Sequence, residues 1–238
     1  MALEKDIPAL AGSLIPAILL LAFVYSQDRR RRHALRWVVL TFSAGMCSAA
    51  AAFFVFELLE VSPVYRPLIR GAPASDLAHA AFALGLVGPI EEFLKLLAVV
   101  VTAWRLDSRK VPSDGIRYGT AAALGFAAAE NWYAMWATGG LDLGRAALVP
   151  FVHMLFAAFW GWGLGACLKG RGFWPLWTGL ALASVYHGLF DYLEYMGGMW
   201  HFLTLPIVAL MWVFMTTMLR RFVSEPQKPD SGPGCALP

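Results

Sequence analysis

The sequence has little charge. Only 15% of its 238 residues are Asp, Glu, Lys or Arg, whereas 59% are hydrophobic and the mean hydropathy is +0.59. A water-soluble globule of this length could not bury so much apolar surface in one core. The sequence therefore predicts an all-α, polytopic membrane protein built as a helical bundle.

Cysteine and net charge are also scarce. The three cysteines, Cys47, Cys167 and Cys235, have no paired or metal-type spacing, which argues against a disulfide framework or a zinc knuckle. The formal net charge is only +3, and the Arg and Lys residues lie between apolar runs. This charge bears on orientation in the membrane and gives no support for nucleic-acid binding.

Apolar runs long enough for membrane helices of roughly 20 residues recur along the chain. There are about seven, covering residues 8–26, 35–59, 76–104, 118–137, 146–168, 173–196 and 202–222. The basic cluster from Arg29 to Arg32 follows the first run, so this run is predicted to be a retained helix and not a secretory signal. We expect one transmembrane domain over residues 1–223, with an active-site layer in the spans within 76–196, and a disordered tail over 224–238.

Basic residues concentrate in the loops after spans one, three, five and seven. The positive-inside rule makes these loops cytoplasmic. The pattern predicts an N-terminus outside and a C-terminus in the cytoplasm.

Polar side chains occur deep inside four of the spans. In chain order they are Glu91, Glu92, Lys95, Glu130, Asn131, Tyr133, His153, His187 and Asp191. An ionisable group at the centre of a bilayer costs on the order of 3 kcal/mol or more, so each needs a compensating partner. At 1.5 Å per residue, the groups on all four helices fall at roughly 20 to 25 Å from the cytoplasmic end. We therefore expect one polar chamber lined by spans three to six, although Glu91 with Lys95 could also be a structural ion pair.

The expected chamber suits the hydrolysis of an amide. A desolvated carboxylate beside histidines can activate water, and an imidazole can polarise a carbonyl or donate to an oxyanion. Routes through a Ser or Cys nucleophile are poorly supported, because the sequence has no G-x-S-x-G and no cysteine near a histidine in the polar layer. The H-E-x-x-H zinc signature is absent too, yet zinc remains chemically possible with the ligands Glu91, Glu92, His153 and His187.

Motifs on four successive spans carry a family resemblance. They are Glu91-Glu92-x-x-Lys95, Glu130-Asn131-x-Tyr133, His153 and His187-x-x-x-Asp191. With them the chain resembles the PrsW family of glutamic-type intramembrane proteases, in the superfamily that includes the CAAX prenyl endopeptidases. The resemblance implies an intramembrane endopeptidase of the bacterial cytoplasmic (plasma) membrane that needs no metal or other cofactor. Its implied partners are the lipid bilayer and a membrane-anchored protein substrate, such as an anti-sigma factor.

The resemblance also implies a role for each residue. Glu91 is expected to be the general base that activates water, and Glu92 to share charge or order the pocket. His153 would assist the water, while His187 with Asp191 would bind the scissile carbonyl or its oxyanion. The remaining motif residues, expected to support these, are Lys95, Glu130, Asn131 and Tyr133.

Two interpretations from another class stay open. A proton-coupled transporter could use the same carboxylates, but transporters often have paired repeats with broken helices, and here only one span is interrupted, at Gly88-Pro89. An inactive binding relative would be expected to lack one of the catalytic residue types, and all of them are present.

Overall fold

The computed structural model describes residues 2–27, 35–69, 75–107 and 110–224, and within these ranges the chain forms helices and no β-strand. The helices are α1 (Ala2–Ser26), α2 (Leu35–Glu60), α3 (Arg66–Ile69), α4 (Asp76–Phe82), α5 (Gly88–Val99), α6 (Pro112–Thr138), α7 (Leu143–Leu168), α8 (Trp174–Met196) and α9 (His201–Ser224). The prediction of an all-α protein is confirmed.

Some sequence predictions concern residues outside the ranges that the structure describes. The basic cluster from Arg29 to Arg32 and the predicted tail beyond Ser224 lie outside the described residues. Among the described residues, Cys47 is a free cysteine.

Four helices in the described ranges are long and apolar enough to cross a membrane. They are Asp6–Ser26, Leu35–Glu60, Leu143–Leu168 and Gly198–Ser224, which correspond to predicted spans one, two, five and seven. The other predicted spans are helical as well, but α6 and α8 are less apolar, and α4 and α5 are separated by an irregular turn. The count of seven crossings and the orientation of the termini stay predictions.

Helix α6 packs tightly against both α2 and α7, and its residues 113–128 are buried without interruption. A Cβ atom at Gly125 would overlap the carbonyl of Phe42 in α2, and one at Gly115 would overlap the carbonyl of Gly161 in α7. Small residues let helix backbones approach closely, so van der Waals contact holds these helices together. The packing fixes the direction in which the polar residues near the end of α6 project.

The helix widens between α4 and α5 into a π-helical turn over Ala83–Val87. Pro89 follows in the first turn of α5. Proline has no N–H to donate, so it interrupts the regular hydrogen-bond ladder of the turn before it, and π-turns of this kind are frequent at functional sites. Since the irregular turn ends at Val87, it lies about one helical turn before the Glu91-Glu92 pair.

Two glycines bring this irregular turn against α8. A Cβ at Gly88 would overlap the carbonyl of Ser184, and a Cβ at Gly188 would overlap the carbonyl of Ala83. Only a residue without a side chain allows backbones to approach this closely. The crossing places the first turn of α5, with its two carboxylates, beside the middle of α8.

Replacing Gly188 with alanine is expected to destabilise the protein, because the added methyl group would overlap the backbone of the turn before α5. Overpacking of this kind costs about 1–3 kcal/mol, and should lower the midpoint of thermal unfolding in detergent. Gly85→Ala is the matched control, since nothing lies within 4 Å of a Cβ built at Gly85 in the same turn. Equal midpoints for the two variants would contradict the close crossing.

Candidate active site

Polar side chains from α5, α6, α7 and α8 meet in one buried cluster. The structure brings together Glu91, Glu92, Lys95, Glu130, His153 and His187, with Asn131 beside them and Asp191 at the edge. All four helices expected to line a chamber contribute to it. Tyr133 is the one candidate that lies outside the cluster.

The ammonium group of Lys95 is at the centre of the cluster. It donates to Oε1 of Glu92 at 2.8 Å, and it lies 3.4 Å from Oε2 of Glu91 and 2.8 Å from Nδ1 of His153. The ring of Phe126 lies 4.2 Å from it, within range of a cation–π interaction. Lys95 is fully buried, so its three N–H donors need protein acceptors, and these three side chains supply them.

Lys95 also fixes the tautomer of His153. An ammonium group only donates hydrogen bonds, so Nδ1 of His153 must be the accepting nitrogen. The proton of the neutral ring then lies on Nε2, which is 3.3 Å from Oε2 of Glu130. Nδ1 of His153 is therefore engaged by Lys95, whereas Nε2 faces the carboxylate of Glu130 without forming a hydrogen bond.

Both carboxylate oxygens of Glu92 are engaged as well. Oε1 accepts from Lys95 and lies 2.9 Å from Nδ1 of His187, while Oε2 accepts from the indole N–H of Trp160 at 2.9 Å. The side chain of Glu92 has no exposed surface. This carboxylate is held as a fixed anion with no open side.

The carboxylate of Glu91, next to Glu92 in the sequence, has an open side. Nε2 of His187 faces Oε2 of Glu91 at 3.6 Å and Oδ2 of Asp191 at 3.5 Å. The side chain of Glu91 is 11% exposed and that of Asp191 is 37% exposed. The ring of Phe156 stacks on His187, with the ring centroids 4.8 Å apart, and limits its rotation. A water molecule or a carbonyl that enters at this edge can contact a carboxylate and an imidazole together.

The Glu130-Asn131 pair near the end of α6 contacts Arg145 in the first turn of α7. The guanidinium Nη2 donates to Oε1 of Glu130 at 2.5 Å, and the amide nitrogen of Asn131 donates to the carbonyl of Arg145 at 3.3 Å. Glu130 thus lies between Arg145 on one side and His153 on the other. Asn131 joins α6 to α7 and does not reach the central lysine.

Tyr133 lines a cavity next to the cluster. Its side chain is 49% exposed and packs against Phe53, with the ring centroids 5.0 Å apart. The cavity has a volume of about 540 Å³, and its walls include Phe82 and Val87. Val87 is one helical turn before Glu91, so the cavity lies close to the open edge of the cluster.

Sequence reasoning missed two residues that contact the cluster, Trp160 and Arg145. Trp160 carried a usable signal: it is seven residues after His153, on the same helix face, and away from the helix ends where membrane tryptophans concentrate. Arg145 gave none, because a basic residue near a helix end ordinarily faces water or headgroups.

Three side chains of the cluster are also suitable as metal ligands. Donor atoms of Glu91, His153 and His187 lie within 4.8 Å of one another. Two imidazoles and one carboxylate are a common zinc-binding set, so the residues fit a metal by type and spacing. A metal would still require one nitrogen of His153 to be released, by Lys95 or by Glu130.

A helical membrane protein that buries glutamates and histidines around a lysine, and leaves part of the Glu91 carboxylate exposed, has the features of an intramembrane hydrolase. The chain belongs to the PrsW family: the family described as "PrsW family intramembrane metalloprotease" matches residues 33–219.

Similar proteins come from several bacteria. The chain is 28% identical to Protease PrsW of Geobacillus kaustophilus over 208 residues, which cover 85% of this chain and 87% of that protein. It is 30% identical to Protease PrsW of Halalkalibacterium halodurans over 209 residues (85% and 91%), and 24% identical to that of Bacillus subtilis over 212 residues (86% and 91%). No solved structure matches the chain.

The family membership establishes a membrane-embedded protease of the bacterial plasma membrane, acting on a protein substrate in a lipid environment. The same membership argues against the transporter interpretation.

Replacing Trp160 with phenylalanine is expected to destabilise the protein, because Oε2 of Glu92 would lose its donor while remaining buried. Leaving a buried acceptor unsatisfied costs about 1–3 kcal/mol. Thermal unfolding in detergent measures the effect. Trp162→Phe is the control, since Trp162 packs edge-on against Phe214 outside the cluster. A Trp160→Phe variant as stable as this control would argue against the indole hydrogen bond.

Proposed function

We propose that the chain is a glutamic-type intramembrane endopeptidase that hydrolyses a peptide bond of a membrane-anchored protein. The observation that supports this proposal is the open edge of the cluster, where Glu91, His187 and Asp191 face one another. Following the family resemblance, we propose a regulator such as an anti-sigma factor as the substrate.

Glu91 is the proposed general base. Its carboxylate takes a proton from a water molecule at the open edge, while the water oxygen forms a bond to the scissile carbonyl carbon. Breaking of the C–N bond then releases the amine, which receives the proton held on Glu91. When protonated, His187 donates from Nδ1 to Glu92 and retains a second N–H on Nε2 for the oxyanion.

The other buried groups of the cluster hold Glu91 and His187 in place. Glu92 accepts from Lys95, His187 and Trp160, so it orients the imidazole and has no oxygen left to activate water. Nδ1 of His153 is engaged by Lys95 and Nε2 faces Glu130, and we propose that His153 supports Lys95 and does not act on the water directly. This role differs from the one that the resemblance implies.

The cavity beside Tyr133 is the proposed place for the substrate segment next to the scissile bond. Val87 lies one turn from Glu91, and Tyr133 lies one turn from Glu130, so an extended peptide in this cavity would reach the open edge. Four of the nine residues that line it are aromatic and three are aliphatic, which suits apolar residues at the end of a membrane helix, and the other two are Glu57 and Glu60.

The Glu91→Gln variant tests the proposal, because glutamine keeps the shape of the side chain but cannot accept a proton from water. Loss of a general base is expected to lower kcat by roughly 10²–10⁴-fold. Cleavage of a membrane-anchored reporter by purified protein in liposomes measures the effect. The control is Glu194→Gln, at an exposed carboxylate paired with His201. A Glu91→Gln variant that cleaves as fast as the parent would rule out the glutamate mechanism.

A zinc-dependent protease is the second candidate, favoured by the spacing of Glu91, His153 and His187 and by the family description. These three residues would hold the metal, which would polarise the scissile carbonyl and activate water.

Chelation separates the two mechanisms. If the glutamate mechanism holds, 1,10-phenanthroline leaves the cleavage rate unchanged, and elemental analysis of the purified protein finds no stoichiometric zinc. Loss of cleavage with the chelator, recovery on adding zinc, and about one zinc per chain would establish the metalloprotease instead.

A further inference from the structure

We infer that an apolar groove between α1, α2 and α6 receives the membrane-spanning segment of the protein substrate. This segment leaves the groove at the Phe53–Tyr133 pair and continues into the cavity beside Tyr133, towards Glu91. The inference rests on the proposed function, which places the scissile bond at the open edge of the cluster. It gives a role to α1 and α2, which carry none of the sequence motifs.

The apolar groove has a volume of about 500 Å³ and is lined by residues of α1, α2 and α6. Among the described residues, no charged side chain lines it. The hydroxyl of Ser13 in its wall donates to the carbonyl of Leu10 on the same helix, at 2.9 Å. Both α1 and α2 are long and apolar enough to cross a membrane, and the groove lies along the middle of α2. It therefore faces the hydrocarbon region of the bilayer.

The apolar groove is continuous with the cavity beside Tyr133. Phe53 and Tyr133 line both of them, and the two ring centroids are 5.0 Å apart. The α2 residues that line the groove and the cavity follow one helix face at spacings of three and four residues. This α2 strip consists of Met46, Ala50, Phe53, Glu57 and Glu60. At 1.5 Å per residue it is about 21 Å long, with the aromatic pair at its middle.

The chemical character of the α2 strip changes along its length. On the groove side of Phe53 its residues are Met46 and Ala50, whereas on the cavity side it ends on the carboxylates of Glu57 and Glu60. A membrane protein changes in the same way where its spanning segment ends, from apolar residues to polar and charged flanking residues. A lipid acyl chain would match only the apolar half. The strip as a whole therefore fits a protein segment that leaves the membrane core.

The path also passes the candidate active site. Ala129 lines the groove and is next to Glu130 in α6, while Val87 lines the cavity one helical turn before Glu91. A membrane helix has to unwind before a base can reach its peptide bond, and the freed backbone groups then need partners. The hydroxyl of Tyr133 makes no hydrogen bond within the described part of the chain and is half exposed. It is available to a freed backbone carbonyl at the end of the groove.

Photo-crosslinking tests the occupant of the groove directly. We place p-benzoylphenylalanine at Ala50, in a Glu91→Gln background, and reconstitute the protein in liposomes with a single-span membrane-anchored reporter. Ala51 is the matched control position, because it is also exposed but projects about 100 degrees away and does not line the groove. We expect Ala50 to crosslink to the spanning segment of the reporter several-fold more than Ala51 does. Equal crosslinking from both positions, or lipid adducts alone at Ala50, would overturn the inference.

Filling the groove tests the same inference by kinetics. Ala50→Trp is expected to raise KM for the reporter by roughly 10-fold or more with little change in kcat, because binding of the spanning segment is lost without a change at the reacting groups. Ala51→Trp should keep the KM of the parent. Equal KM values for the two variants would contradict the inference. If Ala50→Trp does not fold, the crosslinking experiment decides.

The two proposals fail separately. If the parent cleaves no reporter, the proposed function fails, while crosslinking from Ala50 still shows whether a spanning segment occupies the groove. If the parent cleaves the reporter and crosslinking is equal from Ala50 and Ala51, the proposed function stands and the inference about the groove is wrong.

Discussion

A buried ammonium group must be matched by acceptors, and the interior of this protein is arranged around that constraint. Lys95 obtains its acceptors from its own helix and from α7, and an aromatic face from α6. Glu92 extends the network to α8 through His187. Removing any partner would leave a charge in a medium that solvates it poorly, so the four helices have one arrangement that satisfies all of these groups. Glycines at the contacts between α5 and α8, and between α6 and its neighbours, allow the helices to approach closely enough for these groups to meet.

Adjacent glutamates take different environments because successive residues on a helix project about 100 degrees apart. Glu92 projects into the interior, where Trp160, Lys95 and His187 engage both of its oxygens. Glu91 projects towards the edge and keeps exposed surface. The division provides one carboxylate that orders the site and one that can contact a substrate. The family description as a metalloprotease and the glutamate mechanism assign different chemistry to the same residues, and a metal on His153 would have to displace either Lys95 or Glu130.

The sequence was most informative about position along each helix. The spacing of apolar runs anticipated the helices closely, and depth along them anticipated which polar groups of α5 to α8 would meet. Rotation about each helix axis was not accessible, because it depends on contacts between helices distant in sequence; Tyr133, counted with the cluster, instead faces the cavity beside it. Arg145 was missed because its partner Glu130 is known only once α6 and α7 are paired. The π-helical turn before Gly88-Pro89 was only hinted at by the proline. Membrane orientation and the number of crossings stay at the level of sequence prediction.

The distribution of apolar residues among the helices has a consequence for how the polar cluster assembles. Of the helices that supply the polar cluster, only α7 is long and apolar enough to cross a membrane by its length and composition, whereas α1, α2 and α9 also meet this criterion and carry none of the cluster. A helix such as α6, which carries Asp114, Arg117 and Glu130, gains a favourable place in the membrane only when its neighbours cover those groups. The carboxylates and histidines therefore come together only when α5, α6 and α8 pack against α7. A chain in which these four helices have not packed together has no assembled site.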